Sequence, residues 1–203
     1  MKKGFEIALI FLTAILKWIL VDAYGLRGYF IPTAFLIWLA FIVYNVRVEE
    51  NFFINAGFNK RNLKPTSLIS LILIIGFSGI MIGYGKLNHF DINTRNFTIA
   101  VCTYPIWGLL QQFIVMRFVA SNLQSLNLNK AKVITITTFA FGVVHIPIWP
   151  LFAATCLIGF AFTALYIRYK NLWPLGIAHG ILGAFFYFYV LNEDPIAQLL
   201  LTF

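Results

Sequence analysis

Apolar residues fill the chain in long runs, and short polar connections separate these runs. About seven runs approach the ~20 residues that a helix rising about 1.5 Å per residue needs to cross a bilayer. The runs lack the apolar–polar alternation of a transmembrane β-barrel. The pattern therefore predicts an all-α fold, a polytopic bundle of about seven membrane-spanning helices. The predicted spans are residues 5–22, 29–46, 66–85, 97–119, 132–149, 150–168 and 172–191.

The connections between the runs show no sign of a soluble domain or a low-complexity linker. We therefore predict a single integral membrane domain over residues 1–203, with a motif-bearing helical core at about 97–191. The first run contains Lys17 and has no small-residue cleavage site, so we interpret it as a retained helix and not as a signal peptide. The two prolines of "HIPIWP", between the fifth and sixth runs, predict a tight turn or a broken helix.

Basic residues indicate which ends of the predicted spans face the cytoplasm. With the N-terminus inside, ten lysines and arginines fall on the cytoplasmic side and three on the other, which is the bias typical of membrane proteins. Lys17 and Arg117 lie within spans. The ten are Lys2, Lys3, Arg47, Lys60, Arg61, Lys64, Lys130, Lys132, Arg168 and Lys170, and the three are Arg27, Lys86 and Arg95.

The composition agrees with a chain that lives in a membrane. It is 61% hydrophobic and only 11% charged, whereas about a quarter of the residues of a soluble domain are charged. The net charge of +8 then marks cytoplasmic loops that meet anionic lipid headgroups, and we expect no nucleic-acid partner. Cys102 and Cys156 lie in apolar runs without zinc-type spacing, so we interpret them as packing residues.

Polar side chains inside the predicted spans are the candidates for function, because each is costly to bury in lipid. Adjacent glutamines also join helices by hydrogen bonds, worth about 0.6–2 kcal/mol each. A lone membrane histidine is often a packing residue, and a lysine or arginine near the end of a span can reach the interface. The candidates are Gln111, Gln112 and Arg117 in the fourth span, Phe141 and His145 in the fifth, His179 in the seventh, and Lys17 in the first.

These polar groups form an ordered series on the last spans. A polar pair in "QQFIVMR" precedes Phe-x-x-x-His in "FGVVH", whose spacing places Phe141 and His145 on one helix face, and a second histidine follows in "AHGILG". In this order the series resembles the CPBP family of intramembrane proteases, the CAAX-processing and bacteriocin-immunity (Abi) type. The family pattern is Glu-Glu-x-x-x-Arg, then Phe-x-x-x-His, then a histidine followed four residues later by Asn or Asp. The resemblance covers residues 97–191.

The resemblance implies a mechanism and a set of site residues. In the family, a glutamate activates water for attack on a peptide carbonyl, and histidines help to hold the water or the oxyanion. Carried over by position, Gln111 and Gln112 take the glutamate slots, while His145 and His179 take the histidine slots. We expect these four side chains to line an intramembrane cavity, with Arg117 and Phe141 supporting it.

The chain departs from the family pattern in its chemistry. Glutamine has nearly the shape of glutamate, but it cannot accept a proton and can only orient a water. The arginine slot falls on Met116, and Arg117 is one residue later, which is a turn of about 100° around an α-helix. Gly183 occupies the Asn/Asp slot. We therefore expect Arg117 to point away from the face of Gln112.

No carboxylate in the motif-bearing region replaces the missing pair. Between Ile92 and Asn192 the sequence contains neither Asp nor Glu. Glu49 and Glu50, at the cytoplasmic end of the second span, are the nearest candidates along the predicted topology. His145 or His179 could serve as the base, since histidine titrates near neutral pH. We expect no metal and no cofactor, because two histidines without a nearby carboxylate or thiolate make an incomplete zinc site.

Three explanations of the glutamines remain open. The chain is a natural variant that has lost proteolysis, a divergent active member with another base, or a protein whose glutamates were replaced by design. The shifted Arg117 and the Gly183 position favour natural divergence.

Three functions follow from these explanations. The first is an intramembrane endopeptidase that acts on a membrane-anchored peptide or a prenylated protein. The second is a non-catalytic membrane scaffold, or pseudoprotease, that binds such a partner. The third is a small transporter or a lipid-binding protein, in which the polar residues line a pathway. The absence of inverted or parallel repeats disfavours the transporter. We expect an integral protein of a bacterial plasma membrane, in contact with membrane lipids.

Overall fold

The computed structural model describes residues 2–200, apart from the side chains of Lys2, Arg27, Ile31, Leu199 and Leu200. The chain is 81% helical, and the described residues form no strand, which confirms the predicted all-α fold. Two helices continue into π-helical segments, Trp18–Ala23 and Met116–Ala120. The α-helices are α1 (Lys2–Lys17), α2 (Arg27–Val48), α3 (Phe52–Asn55), α4 (Leu63–Leu87), α5 (Thr94–Val115), α6 (Ser121–Ser125), α7 (Lys130–Val143), α8 (Trp149–Tyr169), α9 (Trp173–Tyr189) and α10 (Pro195–Leu200).

Five of the described helical segments are long and apolar enough to cross a membrane, so the protein is an integral membrane protein. The predicted fifth and seventh spans correspond to shorter helices: α7 has 14 residues and α9 has 17. The count of seven spans and the cytoplasmic N-terminus stay predictions. The five segments are Lys3–Ala23, Gly28–Val48, Leu63–Leu87, Thr94–Ser125 and Trp149–Tyr169.

The predicted fifth span, residues 132–149, does not form one continuous helix. Helix α7 ends at Val143, and α8 begins at Trp149 after a turn. Pro147 has no backbone N–H to continue the ladder of hydrogen bonds, so the chain leaves the helix in this region. Pro147 therefore lies in a turn between helices and Pro150 at the start of α8. A turn was one of the two outcomes expected from the sequence.

The helices group into two compact units. The first unit comprises Met1–Phe58 and Ile114–Lys170, and the second comprises Asn59–Phe113 and Asn171–Phe203. The boundary between them falls within α5. The prediction of a single domain over residues 1–203 stays a prediction.

Small residues bring helices together in the first unit. Helix α7 packs against α8, and a Cβ added to Gly159 would lie 3.0 Å from the Phe141 ring. Aromatic rings of α2 and of the α5 continuation form a second contact, in which the centroids of Trp38 and Phe118 are 5.6 Å apart. These contacts fix the elements that carry Phe141 and Arg117.

The second unit is built on α4, α5 and α9. One cluster of its buried core comprises Ala100, Ala184 and Phe188, and Gly85 of α4 lies against Tyr189 of α9. The side-chain amide of Asn171, which precedes α9, donates to the carbonyls of Asn59 and Arg61 at 2.8 Å each. This pair of bonds ties the start of α9 to the loop that leads into α4.

Candidate functional site

Glycines let the backbones of α5 and α9 approach closely in the second unit. A Cβ added to Gly108 of α5 would lie 2.5 Å from the backbone nitrogen of Gly180, and one added to Gly180 would overlap the carbonyl of Tyr104. A Cβ added to Gly176 would lie 2.7 Å from the Cα of Leu109. Small residues four apart, here Gly176 and Gly180, are typical of close helix contacts in membranes. The residues one turn after Gly108 on α5 and one turn after Gly176 on α9 therefore face one another.

This close approach brings the glutamine pair of the first motif, "QQFIVMR", beside the histidine of the third motif, "AHGILG". Oε1 of Gln111 lies 2.9 Å from Nε2 of His179, which is the length of an ordinary hydrogen bond. A carboxamide oxygen can only accept, so the ring nitrogen donates in this arrangement. Gln111 thus joins two helices, as a glutamine in lipid often does, and its partner is the histidine that the sequence series singled out.

Gln112 has a different environment from its neighbour. Its side chain is fully buried, and neither its Nε2 nor its Oε1 has a hydrogen-bond partner among the described residues. A buried polar group left in this state costs about 1–3 kcal/mol. Interhelical bonding therefore accounts for Gln111 but not for Gln112.

The second motif lies in the first unit, and its histidine is not on a helix. Helix α7 ends at Val143, so the expectation that Phe141 and His145 share one helix face is wrong. His145 lies in the following turn, where its N–H donates to the carbonyl of Gly142 at 2.8 Å. The Phe141 and His145 rings still meet edge to face, with centroids 5.7 Å apart. The convergence of His145 with Gln111, Gln112 and His179 stays a prediction.

The Arg117 side chain contacts a carboxylate and two aromatic rings of the first unit. It forms an ion pair with Glu49 and lies over the rings of Phe52 and Phe118, at 5.1 and 5.7 Å from their centroids. Glu49 is one of the two carboxylates that the sequence offered as a substitute base, and here it neutralises the guanidinium. The π-helical segment Met116–Ala120 contains Arg117, so steps of 100° per residue do not describe its direction.

Sequence reasoning missed a polar network beside Arg117. The Tyr166 hydroxyl donates to the carbonyl of Ala56 at 2.9 Å and lies 3.0 Å from Oγ of Ser121. Nζ of Lys170 donates to Oε1 of Gln124 at 2.7 Å. Burial, and secondarily the charge of Arg117, lower the pKa of Lys170 to about 8. The sequence counted Lys170 only as a cytoplasmic charge, because nothing in "IRYKN" indicates that its ammonium group is partly buried.

Lys17 also has more than the interfacial role expected of it. Its Nζ lies 2.7 Å from a carboxylate oxygen of Asp22 and donates to the carbonyl of Ile146 at 3.0 Å. Lys17 therefore contacts the turn that carries His145.

The comparisons with known proteins bear on the same part of the chain. The family model described as Type II CAAX prenyl endopeptidase Rce1-like matches residues 93–185, just under half of the chain. No curated protein and no solved structure matches. The matched segment contains Gln111, Gln112, His145 and His179, and it confirms the resemblance to the CPBP family.

Proposed function

We propose that the protein binds a membrane-anchored peptide or a prenylated protein at an intramembrane polar site, because residues 93–185 match the family model described as Type II CAAX prenyl endopeptidase Rce1-like. Gln111 and His179 are the centre of this site. The observation that carries the proposal is their 2.9 Å contact, since it pairs the first and third motif positions on neighbouring helices.

The chemistry of these groups favours binding over hydrolysis. Cleavage of a peptide requires a base that removes a proton from water, and a carboxamide cannot do this. The carboxamides of Gln111 and Gln112 offer N–H donors and carbonyl acceptors, which match the donors and acceptors of a peptide group. The chain therefore retains the means to hold a peptide carbonyl or a water, and it lacks the glutamate that would activate the water.

Hydrolysis with histidine as the base is the second candidate function. His179 favours it, because its ring contacts Gln111, and a glutamine can orient a water for a neighbouring base. By its place in the motif series, His145 takes part in both candidate functions, binding and hydrolysis. We assign the protein to a bacterial plasma membrane, where membrane lipids and lipid-anchored chains are its partners.

Binding is tested with a fluorescent prenylated peptide and the purified protein in lipid nanodiscs. His179→Ala should weaken binding by about 5- to 150-fold, because it leaves Oε1 of Gln111 without its hydrogen-bond partner, at a cost of about 1–3 kcal/mol. The control is His89→Ala, at a position outside the predicted spans, and it should leave the affinity unchanged. Equal affinities of the parent and His179→Ala would contradict the proposed site.

A further inference from the structure

The turn after α7 carries His145 at a point where the backbone lacks helical hydrogen bonds. Its local bonds run from the N–H of Ile146 to the carbonyl of Val143 at 3.3 Å, and from the N–H of Ile148 to the carbonyl of His145 at 3.0 Å. Non-helical backbone at membrane depth needs donors for its carbonyls from elsewhere in the protein. The carbonyl of Ile146 receives one from the side chain of Lys17, 129 positions away along the chain.

The donor belongs to a charge pair inside the first membrane-length helix. Lys17 ends α1, and Asp22 lies in the π-helical continuation, within the segment Lys3–Ala23. Their side chains are only 21% and 19% exposed. Taking two charges out of water costs several kcal/mol per ion, which the mutual attraction offsets only with good geometry and further hydrogen bonds. The bond to Ile146 is such a further hydrogen bond.

The His145 ring has a separate constraint on its other side. It meets the ring of Phe141 edge to face. Phe141 is 2% exposed, and its ring lies 3.0 Å from the position of a Cβ added to Gly159 of α8. Phe141 therefore limits the position of the ring, while Lys17 holds the backbone one residue further on. Each constraint comes from a different helix.

We propose that Lys17, charge-compensated by Asp22, is a positioning residue for His145. The pair lies outside residues 93–185, so α1 contributes to the geometry of a motif in the family-matched segment. This inference deepens the proposed function, and it rests on that proposal only for the importance of His145. The position of His145 itself can be measured without any activity.

Histidine resonances give a direct readout, because the chain contains only three histidines: His89, His145 and His179. Protein with ¹⁵N-labelled histidine is studied in nanodiscs, and each resonance is assigned by its loss in a single His→Gln variant. Lys17→Met alone leaves Asp22 unpaired and can prevent folding. The double variant Lys17→Met, Asp22→Asn removes both charges and isolates the loss of the bond to Ile146.

The double variant should move or broaden the His145 ring resonances and leave those of His89 unchanged. The single variant Lys17→Arg keeps a cationic donor beside Asp22, so its His145 resonances should lie close to those of the parent. The matched control is Lys3→Met, an exposed lysine of the same helix, and it should change none of the three. An unmoved His145 resonance in the double variant would overturn the inference, as would equal changes in all three histidines.

The two proposals fail in different ways. If His145→Ala binds the prenylated peptide as the parent does, the role of His145 in the function is wrong, but the resonance test of Lys17 still stands. If His145→Ala weakens binding while the double variant leaves both binding and the His145 resonances intact, then the positioning role of Lys17 is wrong.

Discussion

At the scale of single residues, the contact between Gln111 and His179 sets the chemistry that is available. Both side chains donate and accept hydrogen bonds, but only the imidazole has a nitrogen that can also take up a proton as a base. A glutamate at position 111 would place a carboxylate oxygen near Nε2 of His179, where the carboxamide oxygen now lies 2.9 Å away. One atom in this side chain therefore separates a binding pair from a carboxylate–histidine pair.

Lys170 provides a prediction of pH dependence at the same scale. Burial and then Arg117 lower its pKa from 10.5 to about 8. Below pH 8 the lysine is charged in both states, so the cost of burying its charge is fully present. Between about pH 8 and 10.5 the folded protein has released the proton and the unfolded chain has not, so the free energy of unfolding rises with pH.

This rise is measured as the difference in thermal unfolding midpoint between the parent and Lys170→Met. The parent should gain stability relative to the variant as the pH increases from about 7.5 to 10. A difference that stays constant over this range would contradict the assignment of a buried, destabilised ammonium group.

At the scale of elements, the glycine contact between α5 and α9 is the feature that places Gln111 beside His179. Gly180→Ala should separate these helices, because the added Cβ overlaps the carbonyl of Tyr104. Overpacking of this kind costs about 1–3 kcal/mol. We expect a lower unfolding midpoint in detergent together with weaker binding of the prenylated peptide.

Gly183→Ala is the matched control on the same helix. Its Cβ would meet only the Tyr104 ring, at the ordinary contact distance of 3.7 Å. It should keep both the unfolding midpoint and the peptide affinity of the parent. If Gly180→Ala behaves like Gly183→Ala, then the close approach of α5 and α9 does not hold the site together.

The π-helical segment after α5 explains one displacement in the motif. The family pattern places arginine four residues after the second glutamate, and here Arg117 is five residues after Gln112. A π-helical turn closes with i→i+5 bonds in place of i→i+4 bonds, so it takes up one additional residue. The segment Met116–Ala120 contains such a turn, with the N–H of Ser121 bonded to the carbonyl of Met116. Hydropathy does not distinguish this turn from an α-helical one.

At the scale of the whole molecule, the sequence predicted the features that depend on local composition. The apolar runs predicted an all-helical membrane protein, and the ordered motifs predicted the family whose model matches residues 93–185, because both signals lie within short segments. The end of α7 was placed too late, since "VVHIPIW" is as apolar as the helix before it. The contacts of Lys17 and Lys170 are long-range, so no local pattern contains them.

We propose that Gln111 and Gln112 occupy the positions of the family's catalytic glutamates in a protein that still binds its peptide. The most direct test is the cleavage rate of a prenylated peptide by the double variant Gln111→Glu, Gln112→Glu in nanodiscs. The control is Gln124→Glu, which adds a carboxylate on α6 and keeps an acceptor for Lys170.

A general base contributes about 10²- to 10⁴-fold to such a reaction. The double variant should therefore cleave the peptide at least about 100-fold faster than the parent and the control, which should bind it without cleaving it. Cleavage by the parent that is lost in His145→Ala or His179→Ala would contradict the claim and establish histidine-based hydrolysis. A double variant that binds the peptide and leaves it intact would contradict the claim that these are the catalytic positions.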